Sequence, residues 1–133
     1  MPRAGLNAIG PEHRPRIVAE SVASCSVNLE ACRKVHEPSG VNLWDYVFTL
    51  RGGDDAVAVE PHHAAPDQVD EMIRKKRWAH DLLHAEAPTI RVAKWIWMTG
   101  SDAEPYFSRN HPAARALADA GITFPLVRLK LDP

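Results

Sequence analysis

The chain has 133 residues, of which 45% are hydrophobic and 25% charged, and its formal net charge is −1. This is the composition of an ordinary globular domain with one compact core. The near-neutral charge excludes the strong positive field that drives tight, sequence-independent binding of nucleic acid, so any such binding depends on a local patch.

Targeting and membrane segments are not evident in the sequence. There is no run of about 18 apolar residues, and the N-terminal MPRAGLNAIGPEHRPR lacks the apolar centre of a secretory signal. Cys25 and Cys32 could form one bridge, but such a closely spaced pair in a chain of this size fits reduced thiols better. We therefore expect a soluble, cytoplasmic protein with no membrane partner.

The N-terminal part of the chain is predicted to be an arm followed by helix. Residues 1–16 hold three prolines among glycines and arginines, which favours a flexible arm. Between residues 17 and 35 apolar side chains recur at intervals of three and four, which indicates one or two helices. The sequence HEPSG then ends the pattern. The folded domain is therefore expected to span residues 17–133.

A central β-hairpin is predicted over about residues 43–62. Alternation along its strands places Asp45, Glu60 and His62 on one face. A two-residue turn at the adjacent glycines pairs Asp45 with Glu60, a four-residue loop over GGDD pairs Asp45 with His62, and a three-residue loop would split the acids. The opposite face is expected to contact a helix-covered core through Trp44, Tyr46, Phe48, Val57 and Val59.

The remaining elements continue an α/β pattern. Residues 66–86 form the clearest predicted helix, opened by Pro66 with acidic residues near its positive end. The strand IRVAKWIWM, the short helix HPAARALADAG and the closing strand PLVRLKL follow. The order after residue 36 is strand, strand, helix, strand, helix, strand. This order predicts a single α/β domain with a mixed sheet and helices packed on it.

The two acids of the hairpin raise a question of charge. Carboxylates about 5 Å apart repel by roughly 3 kcal/mol at an effective dielectric of 20, and by under roughly 1 kcal/mol in water. In a partly dry site, one acid must hold a proton or a cation must lie between them. Mg²⁺ or Mn²⁺ suits such oxygen ligands and supplies a nucleophilic water. The alternative is that Asp45 and Glu60 lie on a solvated face or rim of the sheet.

With this spacing, WDYVFTLRGGDDAVAVEPH resembles the PD-(D/E)XK nuclease-like fold, whose members carry an acid on one hairpin strand and an E-x-K tripeptide on the next. The likeness covers roughly residues 17–98. It implies that Asp45 and Glu60 bind a divalent metal ion, with the carbonyl of Pro61 as a further ligand. It also implies a metal-dependent nuclease, or a degenerate relative, that acts on or binds nucleic acid. His62 stands where the family has its lysine.

The resemblance implies two further site positions. Some members are thought to supply the lysine from the following helix, and Lys76 lies on the apolar stripe of helix 66–86. Lys76 therefore joins His62 and the two acids in the predicted catalytic set, the alternative being that its ammonium simply extends to water. An acid on the first helix often completes the site, and Glu20 and Glu30 are the candidates. A second likeness, to small uncharacterised bacterial proteins, names no function.

Two alternative functions belong to other classes. HDLLH places His80 and His84 on one helical face, as in the zinc protease motif H-E-x-x-H, but Asp81 replaces the glutamate and no obvious third ligand follows, so a zinc hydrolase is the least favoured. Trp95 and Trp97 are expected to fill the core. If they face outward instead, they form an exposed apolar sheet face for a homodimer or another partner, and the chain is a non-catalytic interaction module on a nuclease-like scaffold.

Overall fold

A five-stranded mixed sheet forms the centre of the protein in the computed structural model, which describes residues 3–18, 23–29, 44–52 and 55–131. The strands are β1 Arg3–Ala4, β2 Ile17–Val18, β3 Ala23–Asn28, β4 Tyr46–Leu50, β5 Asp55–His62, β6 Arg91–Thr99 and β7 Leu129–Lys130. The helices are the 3-10 turns Arg14–Arg16 and Pro66–Gln68, and the α-helices α1 Val69–Glu86 and α2 Pro112–Asp119. Glu20, Glu30 and Cys32 lie outside the described residues.

The sheet has the order β1-β3-β4-β5-β6. Adjacent strands are antiparallel from β1 to β5, whereas β5 and β6 are parallel. A parallel pair needs a crossover connection, and α1 provides it. β2 and β7 form a separate parallel pair. The element order predicted after residue 36 and the α/β class with a mixed sheet are confirmed.

The register of the hairpin decides where the acids lie. Tyr46 pairs with Val59 and Phe48 with Val57. Extending this register by one residue places Asp45 opposite Glu60, which is the pairing predicted for a two-residue turn at the adjacent glycines.

The helices cover the opposite face of the hairpin strands from the one predicted, although Trp44, which precedes β4, lies in the helix-covered cluster as expected. Val47, Ala56 and Ala58, which share a face with Glu60, pack in one core cluster with Met72 and residues of both α-helices. The large aromatic side chains on the other face belong to a second cluster with residues of the N-terminal segment. The small side chains let α1 approach the sheet closely, which explains why the helix packs on the face that carries the acid.

The N-terminal segment is part of the fold, so the predicted flexible arm is wrong. Leu6 and Ile9 are buried in the second core cluster. The guanidinium of Arg16 is also buried and donates to the carbonyls of Thr99, Ser101 and Val127. Proline-rich composition indicated a loop, but two apolar anchors and one multiply bonded arginine attach that loop to the sheet.

The helix predicted from residue 17 is replaced by strands over residues 17–18 and 23–28, and Leu29 has helical conformation. β2 and β3 lie there, and β3 pairs with β4 through Val27 and Val47. Apolar residues in this stretch recur at intervals of three and four, which is typical of a helix, but Ala23, Cys25 and Val27 also alternate as in a strand. Pairing with β4 selects the strand.

The C-terminal elements are close to prediction. The helix of residues 66–86 begins with a 3-10 turn and continues as α1, and α2 lies within the predicted short helix. The closing strand is shorter than predicted, because only β7 pairs with β2, while Leu126 bridges to Met98 of β6. Trp95 and Trp97 are buried in the core, so the outward-facing arrangement of these indoles is wrong.

Candidate functional site

Glu60 is the buried acid at the centre of the candidate site. It lies near the end of β5, and only 1% of its surface is exposed. Its Oε1 accepts a 2.7 Å hydrogen bond from the backbone N–H of Asp45, and its Oε2 lies 2.6 Å from the ammonium of Lys75. A buried carboxylate requires such partners, because its desolvation is otherwise very costly.

Asp45 precedes β4 and is held in place through its backbone. Its N–H donates to Glu60, and its carbonyl accepts a 2.7 Å hydrogen bond from the N–H of Leu29. The residue as a whole is half-buried. The register and the side-chain bond together place the two predicted acids next to each other at the end of the hairpin.

The positive charge beside the acids belongs to Lys75 and not to Lys76. The side chain of Lys75 is 12% exposed and its ammonium reaches Glu60 from α1. The ammonium of Lys76 instead donates to the carbonyl of Ala120 and lies 5.6 Å from the ring centre of Trp95. The predicted contact of Lys76 with Asp45 or Glu60 is therefore wrong, and so is its alternative, an ammonium that extends to water.

The geometry of α1 explains the difference. The helix faces the sheet with Met72 and Ala79, and a residue turns by about 100° relative to its predecessor. Lys75 and Lys76 therefore lie on opposite flanks of the same buried stripe. The flank of Lys75 faces Glu60 and the flank of Lys76 faces the end of α2. Leu82, which lies two turns after Lys75, is buried on the same flank.

His62 lies beside the acids, with its ring fixed by neighbours. Its Nδ1 is 3.7 Å from Oε2 of Glu60, and its Nε2 is 2.8 Å from Oε1 of Gln68. An amide oxygen only accepts, so Nε2 carries the proton in this bond and Nδ1 faces the carboxylate. The carbonyl of His62 also accepts a hydrogen bond from the indole N–H of Trp97. Sequence reasoning did not identify Gln68 or Trp97 as residues that position this imidazole.

Opposing influences set the pKa of Glu60. Burial raises it most, the negative charge of Asp45 raises it further, and the ammonium of Lys75 and the hydrogen bonds lower it. Burial dominates and raises the pKa of Glu60 to about 8. Burial and the charge of Asp45 together outweigh Lys75 in setting this pKa, so a proton on Glu60 or a cation beside it lowers the cost of the buried acid.

This charge balance fits the divalent cation that the resemblance implies. Carboxylate oxygens of Asp45 and Glu60 are ligands that Mg²⁺ and Mn²⁺ prefer. Lys75 already lies on one side of Glu60, so a metal ion would share the carboxylate with an ammonium. Pro61 follows in β5 and is paired with Met98, and its carbonyl stays a predicted ligand.

Neither the acid pair with His62 nor any other His, Cys, Asp or Glu side chains in the described residues form a larger ligand group. Across residues 3–18, 23–29, 44–52 and 55–131, no group of three or more His, Cys, Asp or Glu side chains is arranged to hold a metal ion. The rings of His80 and His84 are stacked 6.4 Å apart on the exposed side of α1. They have no third protein ligand of these types in that part of the chain.

Comparison with known proteins gives no further guidance, since no family model, curated protein or solved structure matches this chain significantly. No helix among the described residues combines the length and the apolar character needed to cross a membrane.

Proposed function

We propose that the protein is a divalent-metal-dependent nuclease-like protein, in which Lys75 takes the place of the lysine that the resemblance expects at His62. The observation that supports this proposal best is the 2.6 Å approach of the Lys75 ammonium to Glu60, directly beside Asp45. Two acids and a lysine supplied by the following helix are the set that such a site needs.

Each residue of the set has a distinct part. Asp45 and Glu60 would hold the Mg²⁺ or Mn²⁺ ion, which when bound activates water and neutralises charge on a phosphodiester. Lys75 presents a positive charge that is oriented before substrate arrives, because Glu60 fixes its ammonium. A fixed charge of this kind stabilises the negative charge that develops during phosphodiester cleavage. His62 is held by Gln68 and lies next to Glu60, with its Nδ1 3.7 Å from Oε2 of the carboxyl group.

A catalytically silent relative is the second candidate, and one observation favours it. Both carboxylate oxygens of Glu60 have N–H donors within the chain, and the residue is almost completely buried. In a silent protein, the Lys75–Glu60 pair only neutralises a buried charge and specifies how α1 packs on the sheet.

A cleavage assay separates these functions. Wild-type protein is incubated with single-stranded and duplex DNA and RNA, with Mg²⁺, with Mn²⁺ and with a chelator. Lys75→Met removes the charge and keeps most of the stem, and Lys76→Met makes the same change at the neighbouring lysine. The proposal expects metal-dependent cleavage by wild type, a loss of about 10²–10³-fold in Lys75→Met and near-normal activity in Lys76→Met.

Folding must be controlled in this comparison, because Lys75 belongs to a buried ion pair. Thermal unfolding of each variant is recorded, and rates are compared only where the protein is folded. Asp45→Asn provides a second test, since it preserves the shape of the side chain and should also abolish cleavage. Wild-type protein that cleaves none of the substrates with either metal, or equal losses in the two lysine variants, would contradict the proposal.

A further inference from the structure

A second group of chemically active side chains surrounds a cleft of about 260 Å³ at the C-terminal end of α1. His80 and His84 lie on one wall of the cleft, and Arg91, at the start of β6, lies on another. Both imidazoles are exposed, and their planes are parallel to within 2°. Neither histidine contributes to the site at Glu60.

The spacing of the two histidines suits a shared ligand. They lie one helical turn apart on the same face of α1, with ring centres separated by 6.4 Å. Because both side chains are in solvent, they can rotate toward each other at little cost until a common ion lies about 2.0–2.1 Å from one nitrogen of each ring. The negative end of the helix dipole also favours a cation at this position.

Asp81 adds the orienting contact that histidine ligands usually have. Its Oδ1 lies 3.6 Å from Nδ1 of His80. A carboxylate on this side favours the tautomer with the proton on Nδ1, which leaves the Nε2 lone pair of His80 for a metal ion.

Arg91, a cation that lines this cleft, has its charge compensated by a neighbouring acid. Arg91 directs two nitrogens to the two carboxylate oxygens of Asp55, each at 3.0 Å. Its charge is therefore compensated locally, and the cleft does not carry a net positive charge from this residue.

We propose that His80 and His84 chelate one transition-metal ion, of the class Zn²⁺, Ni²⁺ or Cu²⁺, with water in the remaining coordination positions. Imidazole suits these ions and not Mg²⁺, so this site is distinct from the acid pair in ligand type as well as in place. It is an open two-histidine site, unlike a closed structural zinc centre with four protein ligands. The proposal does not depend on the nuclease-like function.

Isothermal titration calorimetry with Ni²⁺ tests the proposal on the full chain. Wild type should bind one Ni²⁺ ion that Asp45→Asn does not affect, and both His80→Ala and His84→Ala should bind this ion at least about 10–100-fold more weakly, since even the loss of an outer-shell partner has an effect of this size. His63→Ala is the matched control, because it removes an exposed histidine outside the cleft and should leave the affinity unchanged.

Two further sets of titrations test the role of Asp81 and whether the histidine site is independent of the acid pair. Asp81→Ala should weaken Ni²⁺ binding about tenfold, and Asp81→Asn should restore part of it, because an amide oxygen at this position can accept a hydrogen bond from Nδ1 when the metal is bound. Asp45→Asn and millimolar Mg²⁺ should leave Ni²⁺ binding unchanged. Absence of binding by wild type, unchanged binding in the His80→Ala and His84→Ala variants, or an equal loss in His63→Ala would overturn the proposal.

Discussion

Glu60 shows how one side chain couples the stability of the domain to its chemistry. The ordinary pKa of its carboxyl is 4.5, and burial with the charge of Asp45 raises it to about 8 in the folded protein. Between these values the folded state holds a proton that the unfolded state has released. Stability must therefore fall as the pH rises through this interval, and it becomes independent of Glu60 above it.

The first prediction concerns this pH dependence in metal-free protein. As the pH rises from about 5 to 8, the free energy of unfolding should fall by up to about 1.4 kcal/mol per unit because of Glu60 alone. Glu60→Gln removes the titrating group and should flatten the curve by that amount. Urea unfolding of both proteins in the presence of a chelator provides the measurement. Parallel curves for the two proteins would show that Glu60 does not titrate in this range.

At the level of single residues, the sequence predicted the acids better than their cation. Asp45 and Glu60 follow from strand alternation and turn length, both of which are local. The choice between Lys75 and Lys76 depends on which flank of α1 faces β5, and this is set by the direction in which the helix crosses the sheet. Local pattern places both lysines beside the buried stripe and does not distinguish them.

At the level of elements, the end of α2 joins the two α-helices. The N–H of Gly121 donates to the carbonyl of Ala118 and that of Ile122 to Leu117, which is the pattern of a Schellman cap with its glycine at a φ of +75°. Lys76 of α1 donates to the carbonyl of Ala120 at the same cap, and burial lowers the pKa of Lys76. A β-carbon on Gly121 would lie 2.9 Å from the Lys76 nitrogen.

The second prediction compares two glycines with positive φ. Gly121→Ala should destabilise the protein by about 1 kcal/mol more than Gly52→Ala. Both substitutions introduce backbone strain, but only Gly121→Ala displaces the Lys76 ammonium from the carbonyl of Ala120. In a Lys76→Met background this difference should disappear. Urea denaturation of the single and double variants measures it. Equal costs for the two alanines in the wild-type background would show that the Lys76 bond contributes nothing.

Secondary structure was predictable where pattern and context agree. The stripe of α1, the β-branched and aromatic β6 and the glycine-ended α2 each combine a strong local signal with matching caps or turns. The prediction for β3 was wrong because the spacing of its apolar residues permits either a helix or an alternating strand, and pairing with β4 decides between them. The face covered by the helices was also predicted wrongly, because both faces of the hairpin are mainly apolar and the small side chains lie on the face that carries the acids.

At the level of the whole molecule, the sheet is covered on both sides. α1 and α2 pack on the face of Glu60, and the N-terminal segment packs on the face of Tyr46 and Phe48. The site is therefore held between layers, and its acids are fixed by elements from distant parts of the chain.

The third prediction tests this role of the N-terminal segment. Ile9 is almost fully buried in the second core cluster, so Ile9→Ala should lower the free energy of unfolding by about 2–4 kcal/mol. Asn7→Ala, an exposed position two residues away, should change it by less than about 0.5 kcal/mol. Chemical denaturation compares the two. An Ile9→Ala variant as stable as wild type would mean that the segment is an arm after all.

The most direct test of the proposed site is the binding of Mn²⁺, measured as the thermal stabilisation of wild type, Asp45→Asn and Lys75→Met. Wild type should gain about 2.7 kcal/mol at a hundredfold excess of Mn²⁺ over its dissociation constant, and Asp45→Asn should gain nothing. Lys75→Met should bind Mn²⁺ at least as tightly as wild type, because it loses the ammonium that shares Glu60, although it should not cleave. A wild-type melting curve that millimolar Mn²⁺ leaves unchanged would contradict the metal site and leave the Lys75–Glu60 hydrogen bond with a structural role only.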